Sequence, residues 1–115
     1  MIVEDDDGVR GVVAEALSSC GYGTREARSG GEALDILKTE AVDLMLTDAI
    51  MPGMSGAELM VEARRLQPDL KLLMTSGYSV TEAPPSAHVA ESVPLLKKPY
   101  NLTELYRLIR VVLGQ

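Results

Sequence analysis

The sequence predicts an α/β domain in which a five-stranded parallel sheet is doubly wound, with helices on both faces. Three observations predict it. Short apolar runs alternate with stretches of helical periodicity along the chain, the pattern of repeated βα units. The runs are apolar on successive residues, as strands buried on two faces are. Each run then meets acids, Gly or Pro, which mark the turn into the next helix. At 115 residues the chain fits one domain, residues 1–115, long enough to bury a core without staples. No internal repeat, linker or low-complexity tract interrupts it.

The elements follow in order. Met1 to Glu4 is a short apolar run that ends in Glu4-Asp5-Asp6-Asp7. Val9, Val12, Val13, Ala16, Leu17 and Cys20 recur at helical spacing, with Asp7 as the expected cap and Gly21 as the stop. Cys20 in that pattern reads as a small buried hydrophobe. Gly23 to Ala27 is a polar strand suited to a sheet edge. Ser29-Gly-Gly-Glu32 has the capping-box pattern, and Ala33, Leu34, Ile36 and Leu37 supply the helix face behind it. The run through Leu44 and Leu46 delivers one acid, Asp48, and then breaks at Pro52-Gly53. Ser55-Gly-Ala-Glu58 is a second capping box, leading into Leu59, Met60, Ala63 and Leu66, with Pro68 as the stop. Lys71 to Thr75 is a fourth strand, ending at Ser76-Gly77. The segment Tyr78 to Pro94 has room for a helix, but Pro84-Pro85 and a shortage of large apolar residues make it a weak fourth one. Leu95-Leu96 is a short fifth strand before Lys97-Lys98-Pro99. Asn101-Leu-Thr-Glu104 opens a last helix with Leu105, Leu108, Ile109 and Val112 on one face.

Composition narrows the function. With no Trp or Phe the core is aliphatic, and 46% hydrophobic with 24% charged residues is ordinary for a globular domain. A net charge of −6 argues against nucleic-acid binding, which wants a basic stripe. No apolar run approaches the ~20 residues of a membrane span, and acids follow Met1-Ile2-Val3 at once, unlike a signal peptide. The single Cys20 excludes an internal disulfide and suits a reducing, cytoplasmic setting. The chain begins inside a strand, as a domain cut from a longer protein would.

In a parallel sheet the strand ends lie along one edge, and ligands sit in the crevice beyond it. Glu4 and Asp5 follow the first strand, Asp48 the third, Ser76 the fourth and Lys98 the fifth. Two unit charges 4 Å apart repel by roughly 1 kcal/mol in water and by more where solvent is partly excluded, so three gathered carboxylates invite a cation. Oxygen-only donors suit Mg²⁺ or Mn²⁺; zinc would want His or Cys. A metal, a Lys and a hydroxyl are equipment for stabilising a phosphoryl group. With no Ser/His/Asp or Cys/His set on this edge, the nucleophile would be a carboxylate.

With Val3-Glu4-Asp5-Asp6, Thr47-Asp48-Ala-Ile-Met51-Pro52-Gly-Met-Ser-Gly56, Met74-Thr-Ser76-Gly77 and Lys98-Pro99 in order at the ends of successive strands, the chain resembles a response-regulator receiver domain of two-component signalling over essentially its whole length. The resemblance implies a flavodoxin-like strand order, 2-1-3-4-5. It implies that Asp48 accepts a phosphoryl group from a phosphohistidine of a histidine kinase or phosphotransfer domain. It implies Mg²⁺ (or Mn²⁺) held by Asp5, Asp48, the backbone carbonyl of Ile50 and, largely through water, Glu4. Ser76, with Thr75 as the competing hydroxyl, and Lys98 would hold phosphoryl oxygens. Gly77 would leave the site open to a donor, and Lys98-Pro99 would be cis. The domain would be no conventional enzyme, only accepting the group and losing it slowly.

Two positions depart from the family pattern. Leu95 stands where the family usually has an aromatic residue, and the fourth helix carries two prolines. The departures and the Leu-Leu-Lys-Lys-Pro-Tyr stretch favour a receiver fused to a hybrid sensor kinase, or a stand-alone relay receiver, over a DNA-binding regulator. Leu95, lacking a polar tip, is expected to be buried. Two rivals remain: a degenerate receiver that only docks partners, although no acid, hydroxyl or Lys is lost, and a phosphatase with an Asp nucleophile. The second would want another acid two residues on, where Ile50 stands. Asp6, Glu26, Glu82, Glu91, Lys97 and His88 read as surface residues.

Overall fold

The computed structural model describes residues 1–76, 93–97 and 101–114. Five strands, β1 (Ile2–Val3), β2 (Glu26–Ala27), β3 (Leu44–Asp48), β4 (Lys71–Ser76) and β5 (Leu95–Lys97), form one sheet in the order β2-β1-β3-β4-β5. Every pairing is parallel. Four helices are described, α1 (Asp7–Ser19), α2 (Gly30–Leu37), α3 (Gly56–Leu66) and α4 (Leu102–Leu113). The strand order reverses at β1, between β2 and β3, so the crevice beyond β1 and β3 is the switch point at which such sheets bind ligands. The expectations for residues 77–92 and for Lys98, Pro99 and Tyr100 lie outside the described residues.

Strand alternation divides the core in two. Val3, Met45, Leu72 and Met74 pack on one face with Ala33 and Leu37 of α2 and Leu59, Met60 and Ala63 of α3. Ile2, Leu44, Leu46, Leu73 and Leu96 pack on the other with Val13, Ala14 and Leu17 of α1 and Leu105 and Ile109 of α4. The helices start where the sequence predicts: Ser29, Ser55 and Asn101 each accept the amide hydrogen three residues on. The reciprocal capping box is complete at Ser55–Glu58.

Five expectations are corrected. The N-cap of α1 is Asp6, whose side chain accepts from the Val9 amide, and Asp7 lies in the first turn. Its buried face is Arg10, Val13, Ala14 and Leu17, while Val9 and Val12 are exposed. The true stripe contains an arginine, so counting only apolar residues rotated the helix. Cys20 is exposed because it sits at the C-cap, past the last turn that packs. Leu66 is exposed at the last position of α3, past the buried Ala63. Leu95 is 41% exposed rather than buried. In a three-residue edge strand only Leu96 turns towards α4. Leu95 falls on the opposite face, where the described helices are α2 and α3, and α2 lies against β2 at the far edge.

Candidate acidic site at the sheet edge

The ladder explains how the acids meet. β1 pairs Ile2 with Leu46 and Val3 with Thr47. One residue further, Glu4 falls level with Asp48. On the other flank Asp48 is paired with Thr75. Glu4 is buried, Asp48 half-buried and Asp5 exposed, and one carboxylate oxygen from each lies within 4.8 Å of the others. The predicted acids are therefore brought together. Their donors are all oxygen, with no His or Cys in the group, which fits a hard divalent cation such as Mg²⁺.

The loop after β3 holds Asp48 from several sides. The Ile50 amide donates to Asp48 Oδ1 at 3.4 Å, and the Thr47 hydroxyl donates to the Asp48 carbonyl at 3.1 Å. The Ala49 amide donates to the Thr75 carbonyl at 2.8 Å, and the Gly56 amide to the Ala49 carbonyl at 2.9 Å. Gly53 turns the chain with φ +82°, a conformation glycine adopts without penalty. Gly56 has another reason to be glycine: a Cβ there would run into the Asp48 carbonyl oxygen and the Ala49 Cα. The first turn of α3 is thus pressed against the backbone that carries the acid. The sequence places Gly56 at the end of the Thr47–Gly56 motif and inside the capping-box stretch but does not show this close approach.

Arg10 is the second residue that sequence reasoning missed. It projects from α1 with its side chain only 10% exposed. Its guanidinium donates to the Glu4 carbonyl at 2.9 Å, to Asp7 Oδ1 at 2.5 Å and to Glu26 Oε1 at 3.3 Å. The Asp7 carboxyl is held below its usual range by the hydrogen bond from Arg10 and then by the charges of Arg10 and Arg28. Glu26 is exposed, as expected of a surface acid, but is also one of Arg10's anchors.

Ser76 ends β4, buried and opposite Lys97, one residue beyond the level of Asp48. Thr75, also buried, is level with Asp48. Lys97 is exposed, as predicted. Gly77, Lys98 and Pro99, predicted to complete the site, lie outside the described residues.

The model of the response regulator receiver domain matches residues 1–110. The response regulator receiver protein CpdR of Brucella abortus (strain 2308) is 32% identical over 113 residues, 98% of this chain and 94% of its own length. The sensor kinase CckA of the same organism is 36% identical over 115 residues, and there the match spans 98% of this chain but 12% of the kinase. The solved receiver domain from hybrid histidine kinase CckA superposes with a TM-score of 0.82 at 33% identity, covering 97% of this chain and 95% of that one. TrrA of Thermotoga maritima, a response regulator solved in complex with Mg²⁺-BeF, has a TM-score of 0.83 at 30% identity, with 96% and 95% covered. A sheet wound 2-1-3-4-5 around an acidic edge and a family match over nearly every residue lead to one conclusion: the chain belongs to the response regulator receiver domains of two-component signalling.

Proposed function

We propose that Asp48 is the phosphoacceptor and that Glu4, Asp5 and Asp48, with the Ile50 carbonyl, hold Mg²⁺ (or Mn²⁺) beside it. The observation that carries the reading is the approach of three carboxylates to within 4.8 Å at the switch point of the sheet. A bound Mg²⁺ would offset the carboxylate charge and stabilise the negative oxygens of a transferring phosphoryl group. An Asp48 carboxylate oxygen forms the new P–O bond. The P–N bond of a phosphohistidine breaks, and the imidazole leaves with the bonding pair and takes a proton. Asp48, half-buried at the mouth of the crevice, is open enough for a partner's imidazole to reach.

Ser76 is assigned the phosphoryl oxygen in preference to Thr75 because it stands one residue further over the strand edge. Lys98 is assigned a second oxygen, a role the family resemblance implies for the Lys of Lys98-Pro99. The donor is a histidine kinase or a phosphotransfer domain, and the cytoplasm is the expected setting of the transfer. The domain itself neither binds nucleic acid nor touches a membrane, a reading supported by its net charge of −6. The context is a hybrid sensor kinase or a stand-alone relay receiver in preference to a DNA-binding regulator, a reading that rests on Leu95, on Pro84-Pro85 and on the Leu-Leu-Lys-Lys-Pro-Tyr stretch.

Incubation with a small acyl-phosphate donor and Mg²⁺, followed by intact-mass analysis, tests the assignment. The parent gains one acid-labile phosphoryl group and Asp48→Asn gains none. Ser76→Ala is phosphorylated more slowly than Thr75→Val. Full labelling of the Asn variant overturns the reading.

A further inference from the structure

We propose that Arg10 is a positioning residue for the cation site: it acts on Mg²⁺ through the backbone of Glu4, not through its own charge. The inference rests on the assignment of the acidic edge as a Mg²⁺ site. β1 is paired over two residues, and Glu4 lies just beyond them. Its amide donates to the Ala27 carbonyl at 3.1 Å, and its carbonyl accepts from Arg10 at 2.9 Å. The strand after Glu4 has ended, so the guanidinium takes the place that a ladder bond would hold. Arg10 is itself fixed from both sides, by Asp7 on α1 and Glu26 on β2. Two elements, α1 and β2, are thereby locked to the residue that precedes Asp5. The planar fork explains why the residue is Arg: three donors are used in three directions, which an ammonium on a flexible stem does not reproduce.

Charge and position predict opposite results. A positive group behind a cation site repels the cation, so charge alone predicts that removing it tightens Mg²⁺ binding. Positioning predicts that binding weakens.

Calorimetric Mg²⁺ titration of the whole chain decides between them, with fold checked by circular dichroism. Outer-sphere supports of metal ligands are typically worth 10–100-fold in affinity. Arg10→Met is expected to weaken binding by about tenfold or more on that scale. Arg10→Lys, which keeps the charge and loses the fork, also weakens it. Leu17→Ala, buried on the same face of α1, is less stable than the parent but binds Mg²⁺ as the parent does. Affinity equal to or tighter than the parent's in Arg10→Met overturns the proposal, as does an equal loss in Leu17→Ala. If Arg10→Met does not fold, parent-like affinity in Arg10→Lys overturns it. A parent that binds no Mg²⁺ overturns the metal site and Arg10's role together, whereas a parent that binds beside an indifferent Arg10→Met overturns only the latter.

Discussion

On the β4 side of Asp48 the backbone is fixed by five consecutive pairs, Leu44 with Lys71 through Asp48 with Thr75. On the β1 side two pairs precede the acids, and the hold on Glu4 passes to Arg10 and to the Ala27 carbonyl. Both flanks deliver a carboxylate to the same edge. The long ladder does so with backbone hydrogen bonds between apolar strands. The short one does so with a buried side chain whose own charge needs two acids beside it. A strand can therefore be short and still place a charge, provided a side chain takes over the backbone partner that the ladder no longer supplies.

The largest expected effect lies on the long-ladder flank. Gly56→Ala drives a methyl group against the Asp48 carbonyl, so the backbone must shift. Overpacking of this kind costs about 1–3 kcal/mol. Urea unfolding should show a loss of that order, together with slower phosphorylation of Asp48. Parent-like values for both would show that the loop after β3 yields freely, and would erase the contrast between the flanks.

A smaller effect probes the acids that both flanks bring together. Mg²⁺ at ten times its Kd should stabilise the domain by about 1.4 kcal/mol through mass action. In chelator, Asp48→Asn should melt no lower than the parent, since one of three gathered like charges is gone. A clearly lower melting temperature for Asp48→Asn in chelator would mean that the carboxylate is held by more than it is repelled.

The smallest effect is expected furthest from the acids. A half-exposed Leu95 predicts that Leu95→Gln changes stability by about 0.5 kcal/mol or less, in the range of surface substitutions. A loss of about 2–5 kcal/mol would be that of a core leucine, and would return Leu95 to the interior.

Much of this was legible in the sequence because the relevant signals are local. Runs apolar on both faces announced a parallel sheet, and the capping residues Ser29, Ser55 and Asn101 announced three helix starts. Glu4, Asp5 and Asp48 were legible as a group because parallel strands put their ends on one edge. The errors arose where a residue's role depends on what packs against it. Arg10 occupies the core stripe of α1, but its charge hid it from a count of apolar positions, and Val9 and Val12 were counted in its place. Cys20 and Leu66 carry the right chemistry for a core but sit at helix ends. Leu95 depended on which helix covers an edge strand, and Gly56 on a backbone approach between α3 and β3 that no periodicity encodes.

The lengths of the outer strands have a consequence for colloidal behaviour. A sheet edge is a row of unpaired peptide groups that another chain can extend, and long apolar edges invite fibrous association. Here the described sheet ends on β2, two residues long, and on β5, three residues long. Each carries an exposed charge, Glu26 on one and Lys97 on the other. The long sticky strands, β3 and β4, are kept in the middle. Among the described residues, a chain nearly half hydrophobic thus offers intruding strands brief, charged templates on which to grow.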